Sequence, residues 1–216
     1  MSFYEALVEY LPQLLPGLWV SLLLLVTLVV IGTPLAFVLA IGQRSRVAAV
    51  RWAVILVVEI ARGIPSLILL YIVYFGLPKV GISFEAFTAA AIALAINYGG
   101  YVSQSIKSGI EAIPAGQREA AEALALGRWT ILRFVVIPQS FKIITPTMLS
   151  WIIVYFQTTS IGFAIAVPEL MSVAYSIAAT NFQYLNIFLI AGALYGLISI
   201  PGSQLVARLE RRRSTS

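Results

Sequence analysis

Residues 17–42 read GLWVSLLLLVTLVVIGTPLAFVLAIG, a run without a single charged side chain. Crossing the hydrocarbon core of a bilayer takes roughly 20 consecutive apolar residues in a helix, and this run is long enough to do so. Further along, residues 86–106, 143–168 and 182–207 are also free of charge, and residues 52–77 carry only Glu59 and Arg62. With 60% hydrophobic and 11% charged residues and a mean hydropathy of +0.95, the chain has too little polar surface to cover a soluble globule. These runs predict an all-α integral membrane protein of five transmembrane helices, a single domain over residues 1–216.

The first apolar run exceeds the core of a signal peptide, and no basic region precedes it. It reads as a true span, preceded by a short amphipathic stretch (Phe3, Leu7, Leu11, Leu14) expected to lie on the outer surface.

Basic residues near span ends stay on the cytoplasmic side. Ahead of the first span stand only Glu5 and Glu9. The first loop carries Arg44, Arg46 and Arg51, the second only Lys79, and the third Lys107, Arg118, Arg128, Arg133 and Lys142. The fourth carries Glu169 and no base, and the tail ends in Arg208, Arg211, Arg212 and Arg213. This alternation predicts an outer N-terminus and a cytoplasmic C-terminus. The net charge of +5 needs no nucleic-acid partner, because these bases sit where anionic lipid attracts them.

Residues 107–142 form the one sizeable soluble element, too short to bury a core of its own. Pro114 and Gly116 can start a helix there, Gly127 can end it, and Pro138 marks a second break before the fourth span. Helical spacing groups Ala120, Ala121 and Leu124 on one face, with Arg118 and Glu122 turned away. Such an alanine face suits a helix that slots into a partner's groove; a helix resting on headgroups or on its own bundle is the alternative.

Glu59 and Arg62 are neighbours on one helix face, directly before Gly63 and Pro65, which can interrupt the helix. Charged residues at membrane depth usually pair or face a polar cavity, and broken helices line substrate paths. Solvation among cytoplasmic headgroups is the other reading of this pair. Asn97, Tyr98, Ser103, Gln104 and Ser105 interrupt the third span, and Gln157, Thr158, Thr159 and Ser160 the fourth. They read either as interhelical glue or as an uncharged polar path, and Gly99 and Gly100 allow close helix contact.

The chain contains no His, Cys or Asp. Zinc sites built on histidine, paired-aspartate proteolysis and serine–histidine chemistry are thereby excluded, as are disulfides. No GxxxxGK[ST] loop is present. Uphill movement of a solute would draw its energy from another subunit or from an ion gradient.

The loop motif resembles that of the permease subunits of polar amino-acid ABC importers of the type I fold. Their signature is EAA, three residues, glycine, nine residues, then Ile-x-Leu-Pro; here Glu119-Ala120-Ala121 leads in register to Val135, Ile137 and Pro138. The stretches Glu59-Ile60-Ala61-Arg62-Gly63-Ile64-Pro65, Tyr74-Phe75-Gly76-Leu77-Pro78, Gly109-Ile110, Gly116-Gln117 and Thr159-Ser160 are similar to the same branch. The resemblance implies a multi-pass subunit of the bacterial cytoplasmic membrane, paired with a second permease subunit, identical or homologous. It also implies two cytoplasmic ATPase subunits that bind ATP and Mg, an extracytoplasmic binding protein that delivers an amino acid, and no catalysis or cofactor on this chain. Coupling would fall to Gly116, Glu119, Ala120, Ala121, Leu124, Gly127 and Pro138. The substrate path would be lined by Glu59, Arg62, Asn97, Gln104, Thr158, Thr159 and Ser160.

Three positions depart from the family pattern. Ala125 stands where the motif has glycine, so the turn is expected to shift toward Gly127, since helix continues more easily through alanine. Gln104 stands where an acidic residue is common, and Gln157-Thr158-Thr159-Ser160 where Lys-Asp-Thr-Ser is common. With two negative positions lost and Arg62 kept, a neutral or acidic amino acid, or a derivative, is expected rather than a cationic one.

Overall fold

Residues 3–42 form one helix, α1 (Phe3–Gly42), in a computed structural model that describes residues 3–214, excepting the side chains of Arg118 and of residues 212–214. The orientation expected of Arg118 therefore lies outside the described residues. At 40 residues and 1.5 Å per residue, α1 is about 60 Å long. Its N-terminal turns do not lie apart on the surface, which corrects the expectation for Phe3 to Leu14. Ala6, Tyr10 and Leu14 recur at helical spacing and are buried, so packing against other helices of the chain holds this segment in line with the span.

The second span is broken. Helix α2 (Ala48–Gly63) and the helical segment beginning with α3 (Ser66–Tyr71) meet at 103°. The cause is local: proline disfavours the α conformation in the residue before it, and Ile64 accordingly adopts φ −82°, ψ 125°. After α3 a π-helical turn (Ile72–Gly76) and a 3-10 turn (Leu77–Val80) end at Gly81, whose φ of 87° suits glycine.

Then come α4 (Ala86–Glu111), α5 (Ala115–Ala123), α6 (Arg128–Ile131), a second π turn (Leu132–Val136) and α7 (Ile137–Thr158). A 3-10 segment (Thr159–Ile165), α8 (Leu170–Asn181) and α9 (Tyr184–Ser214) complete the described chain. Pro138 does not break the loop from the fourth span, as its position had suggested. The helix runs on from Arg128 to Ile165, and the π turn just ahead of Pro138 accommodates it: Ile137 N–H reaches back to Leu132 O. Leu77 N–H reaches Ile72 O in the same way ahead of Pro78. A proline removes one ladder hydrogen bond and crowds the carbonyl behind it, and a wider turn relieves both.

Four helices are long and apolar enough to cross a membrane, or five spans when the bent pair counts as one. The chain is an all-helical membrane protein of the type I importer permease fold. Helix α8, of 12 residues, is too short to cross and was not expected from the sequence.

Helix α4 is the hub, with 67% of its apolar window buried against 28% for α1. Its small residues explain this, because close approach of backbones is what holds helices together in lipid. A Cβ on Gly99 would lie 3.1 Å from Leu35 of α1, and one on Gly100 would lie 3.0 Å from Ala61 of α2. The larger apolar cluster joins α4 to the C-terminal half of α1, α3 and α7. A smaller one joins the N-terminal half of α1 to α8 and α9.

Candidate functional site

Helix α5 begins directly after Pro114, which flanks it at the N-cap with φ −53° and ψ 137°, and it ends in a paired-hydrogen-bond turn. Ala125 N–H donates to Glu122 O at 2.8 Å and Leu126 N–H to Ala121 O at 3.3 Å, the Schellman pattern. The left-handed residue this pattern needs is Ala125, with φ 54°. The turn therefore stays at the motif position and does not move to Gly127, which is extended (φ −65°, ψ 149°) and opens α6. The two hydrogen bonds of the turn and the chain's course into α6 prevail over alanine's helix preference. An L-residue in this conformation costs about 1 kcal/mol. Ala125→Gly should therefore slow amide exchange over residues 115–127 by about fivefold, as read by hydrogen-exchange mass spectrometry; unchanged or faster exchange would contradict the strain.

The face expected of α5 divides in two. Ala121 is 5% exposed and belongs to the larger core cluster, whereas Glu119, Ala120, Ala123 and Leu124 point outward, Leu124 at 75% exposure. The inner side is tied to α7 by Gln139 Nε2, which donates to Gln117 Oε1 at 3.2 Å. Gly116 is exposed, and a Cβ there would meet nothing within 4 Å. Pro138 is exposed at the start of α7, beyond the π turn.

The second group of residues gathers where α2 breaks. Arg62 donates to Glu59 Oε1 at 3.4 Å and lies over the Tyr101 ring at 5.5 Å. Tyr101 O–H donates to Arg62 O. Asn97, only 4% exposed, donates through Nδ2 to Ala61 O at 2.6 Å, and its Oδ1 accepts from Tyr155 O–H at 2.6 Å. One amide thus satisfies a carbonyl at the end of α2 and joins α2, α4 and α7. Asn97→Leu removes both bonds and should cost about 1–3 kcal/mol, measured as a lower melting temperature in detergent; an unchanged value would contradict the role.

Gln104 stands apart from that network and pairs with Gln43 Oε1 at 3.0 Å. Thr158, Thr159 and Ser160 donate to Val154 O, Phe156 O and Gln157 O. These bonds to their own helix accompany its tightening from α to 3-10 at Thr159. Thr159 is fully buried, while Thr158 and Ser160 are partly exposed.

Sequence reasoning missed Glu169. It counts as a loop acid there, yet its side chain is 0% exposed. Its carboxylate accepts from Met171 N–H and Ser172 N–H, both at 2.8 Å, from Tyr195 O–H at 3.0 Å and from Ser21 O–H at 3.4 Å. It caps α8, where the helix dipole favours a negative group, and ties α1, α8 and α9 together. The signal in the sequence was a lone acid directly ahead of a run, from Leu170 to Ala207, that carries no charge.

The chain is a helical membrane protein that presents the alanine-rich helix α5 on its surface. Residues 32–215 match the profile described as "Binding-protein-dependent transport system inner membrane component", and the chain belongs to that family. It is 32% identical over 210 residues to the arginine transport system permease protein ArtQ of Bacillus subtilis (strain 168), covering 97% of this chain and 96% of that protein. It is also 32% identical over 217 residues to the glutamate/aspartate import permease protein GltK of Escherichia coli O6:H1, covering 97% of each. The crystal structure of an amino acid ABC transporter with histidines contains a chain that superposes with TM-score 0.90 at 32% identity, covering 98% of this chain and 99% of that one. The protein is a permease subunit of an amino-acid ABC importer, a non-catalytic transmembrane component whose ATP hydrolysis falls to a partner ATPase.

Proposed function

We propose that the chain forms the translocation path of an importer for a neutral or acidic amino acid in the bacterial cytoplasmic membrane. It pairs with a second permease subunit, identical or homologous. An extracytoplasmic binding protein serves the outer face, and two ATPase subunits, holding ATP and Mg, dock on Glu119, Ala120 and Leu124. The observation that carries this reading is the outward face of α5 at the basic end of the bundle. Arg44 pairs with Glu111 at 3.2 Å, and Arg128 donates to Arg44 O at 3.3 Å. The first basic loop and the coupling loop therefore share the end that positive-inside sorting assigns to the cytoplasm.

Transmission follows from the unbroken helix. The run of 38 residues from Arg128 to Ile165 is about 57 Å long, starts beside α5 and carries Thr158, Thr159 and Ser160 near its far end. Displacement of α5 by the ATPases tilts this rod. Tyr155, on the rod, then pulls on Asn97 and through it on the end of α2 beside Arg62, switching the path between inward and outward access.

The preference for a neutral or acidic substrate rests on charge. Glu59, the only acid among the proposed path residues, is already paired with Arg62, and the others besides Arg62 are amides and hydroxyls, so no free anion compensates a cationic side chain. ArtQ and GltK are named for oppositely charged substrates at the same identity, so overall similarity does not select between them. The test is ATP hydrolysis by the assembled complex, with its binding protein, across a panel of amino acids. Stimulation by neutral or acidic members is expected; stimulation confined to arginine and lysine would overturn the preference.

A further inference from the structure

A cavity of about 710 Å³ opens between the α1–α2 loop, the end of α4 and the α5–α6 turn. Its walls are mostly apolar, with Val47, Val50, Ile131 and Trp129 among them, and Arg44, Arg46 and Arg128 also line it. Arg51, outside the lining, donates to the backbone carbonyl of Ser45, which is part of it. Against these four cations stand two carboxylates, Glu122 in the lining and Glu111, which is paired with Arg44. Arg46 is exposed and makes no hydrogen bond or ion pair among the described residues.

We propose that this cavity holds one anionic phospholipid of the cytoplasmic leaflet, its phosphodiester on Arg46 and Arg128 and an acyl chain against α2. The inference rests on the cytoplasmic placement proposed for this basic end of the bundle. Excess positive charge favours the anion, and charge alone would serve free phosphate equally well. The walls select lipid: Val47, Val50 and Trp129 are 59%, 47% and 73% exposed, and the apolar surface continues along α2 through Val57 and Ile60, 51% and 50% exposed. Tryptophan and arginine together at the end of a span are the chemistry of a membrane interface. The outward face of α5 lies elsewhere, since Glu122 and Leu126 line the cavity while Glu119, Ala120 and Leu124 do not.

The test is native mass spectrometry of the permease–ATPase complex extracted from bilayers of mixed phosphatidylglycerol and phosphatidylethanolamine, wild type against R46Q. The wild type is expected to retain phosphatidylglycerol over phosphatidylethanolamine, and R46Q to lose about fivefold of that retention. Added inorganic phosphate should displace none of it. Equal retention of both lipids, an unchanged R46Q, or displacement by phosphate would each overturn the proposal. The same holds if the permease alone keeps the lipid and loses it on assembly, for then the ATPase fills the cavity. Should no ATPase co-purify, the coupling reading fails separately, while the lipid is still read on the permease.

Discussion

Glu169→Ala is expected to lower the melting temperature of the solubilised permease further than Asn97→Leu does. The carboxylate is an acceptor-only group facing four donors from three helices, and alanine leaves all four without it. Each lost bond to a charged acceptor counts for more than a neutral one, although interhelical bonds in membranes are individually modest. Their sum is about 3 kcal/mol, lost from the junction of α1, α8 and α9 while their apolar packing remains. Glu169→Gln tests the charge at nearly constant shape: its amide must turn an N–H₂ toward donors, so an intermediate loss is expected. A melting temperature unchanged in Glu169→Ala would remove the carboxylate from any structural role.

The double substitution Glu119→Lys with Ala120→Asp is expected to uncouple the transporter. Both positions point outward on α5, so the bundle should stay folded while the charge at position 119 reverses and position 120 carries a new charge that assembly would bury. Truncating or reversing a central interface contact costs about 2 kcal/mol or more, about a 30-fold loss of affinity. The measurement is co-purification with the ATPase together with substrate-stimulated ATP hydrolysis. Ala121→Asp serves as the contrast: that side chain is buried in the protein's own core, so it should damage the fold of the loop, seen as a lower melting temperature. Normal stimulated hydrolysis in the outward-facing double variant would count against docking through α5.

The parts of this architecture that were legible in the sequence have local causes. Uncharged runs mark the spans, Gly63-Ile64-Pro65 marks the break in α2, and Pro114 marks the start of α5. The parts that were not legible depend on residues far apart in the chain. The N-terminal turns of α1 look like a surface helix through Phe3, Leu7, Leu11 and Leu14, but of these only Phe3 is exposed, and the three leucines pack with Ala6 and Tyr10 against α8 and α9. Glu169 looks like a loop acid because two of its donors, Ser21 and Tyr195, lie far away in sequence. Ala121 and Ala120 have the same chemistry, and only the neighbouring α6–α7 rod decides which of them faces inward. Ala125 shows the same rule in the backbone: propensity argues for continued helix, and the two hydrogen bonds of the turn, with the chain's course into α6, prevail.

Among the path residues, Arg62 and Asn97 lie in one network, Gln104 lies outside it, and the hydroxyls of Thr158, Thr159 and Ser160 bond to their own helix. In the path proposed above, the Glu59–Arg62 pair and the partly exposed Thr158 and Ser160 are the members open to a substrate, and the buried Asn97 and Tyr155 act as positioning residues.

The most direct test is uptake of labelled amino acid into proteoliposomes containing the permease, with binding protein outside and ATP inside, in the presence and absence of the ATPase subunits. Uptake that requires both the ATPase and ATP is the predicted result. Equal uptake by the permease alone would contradict partner-driven transport.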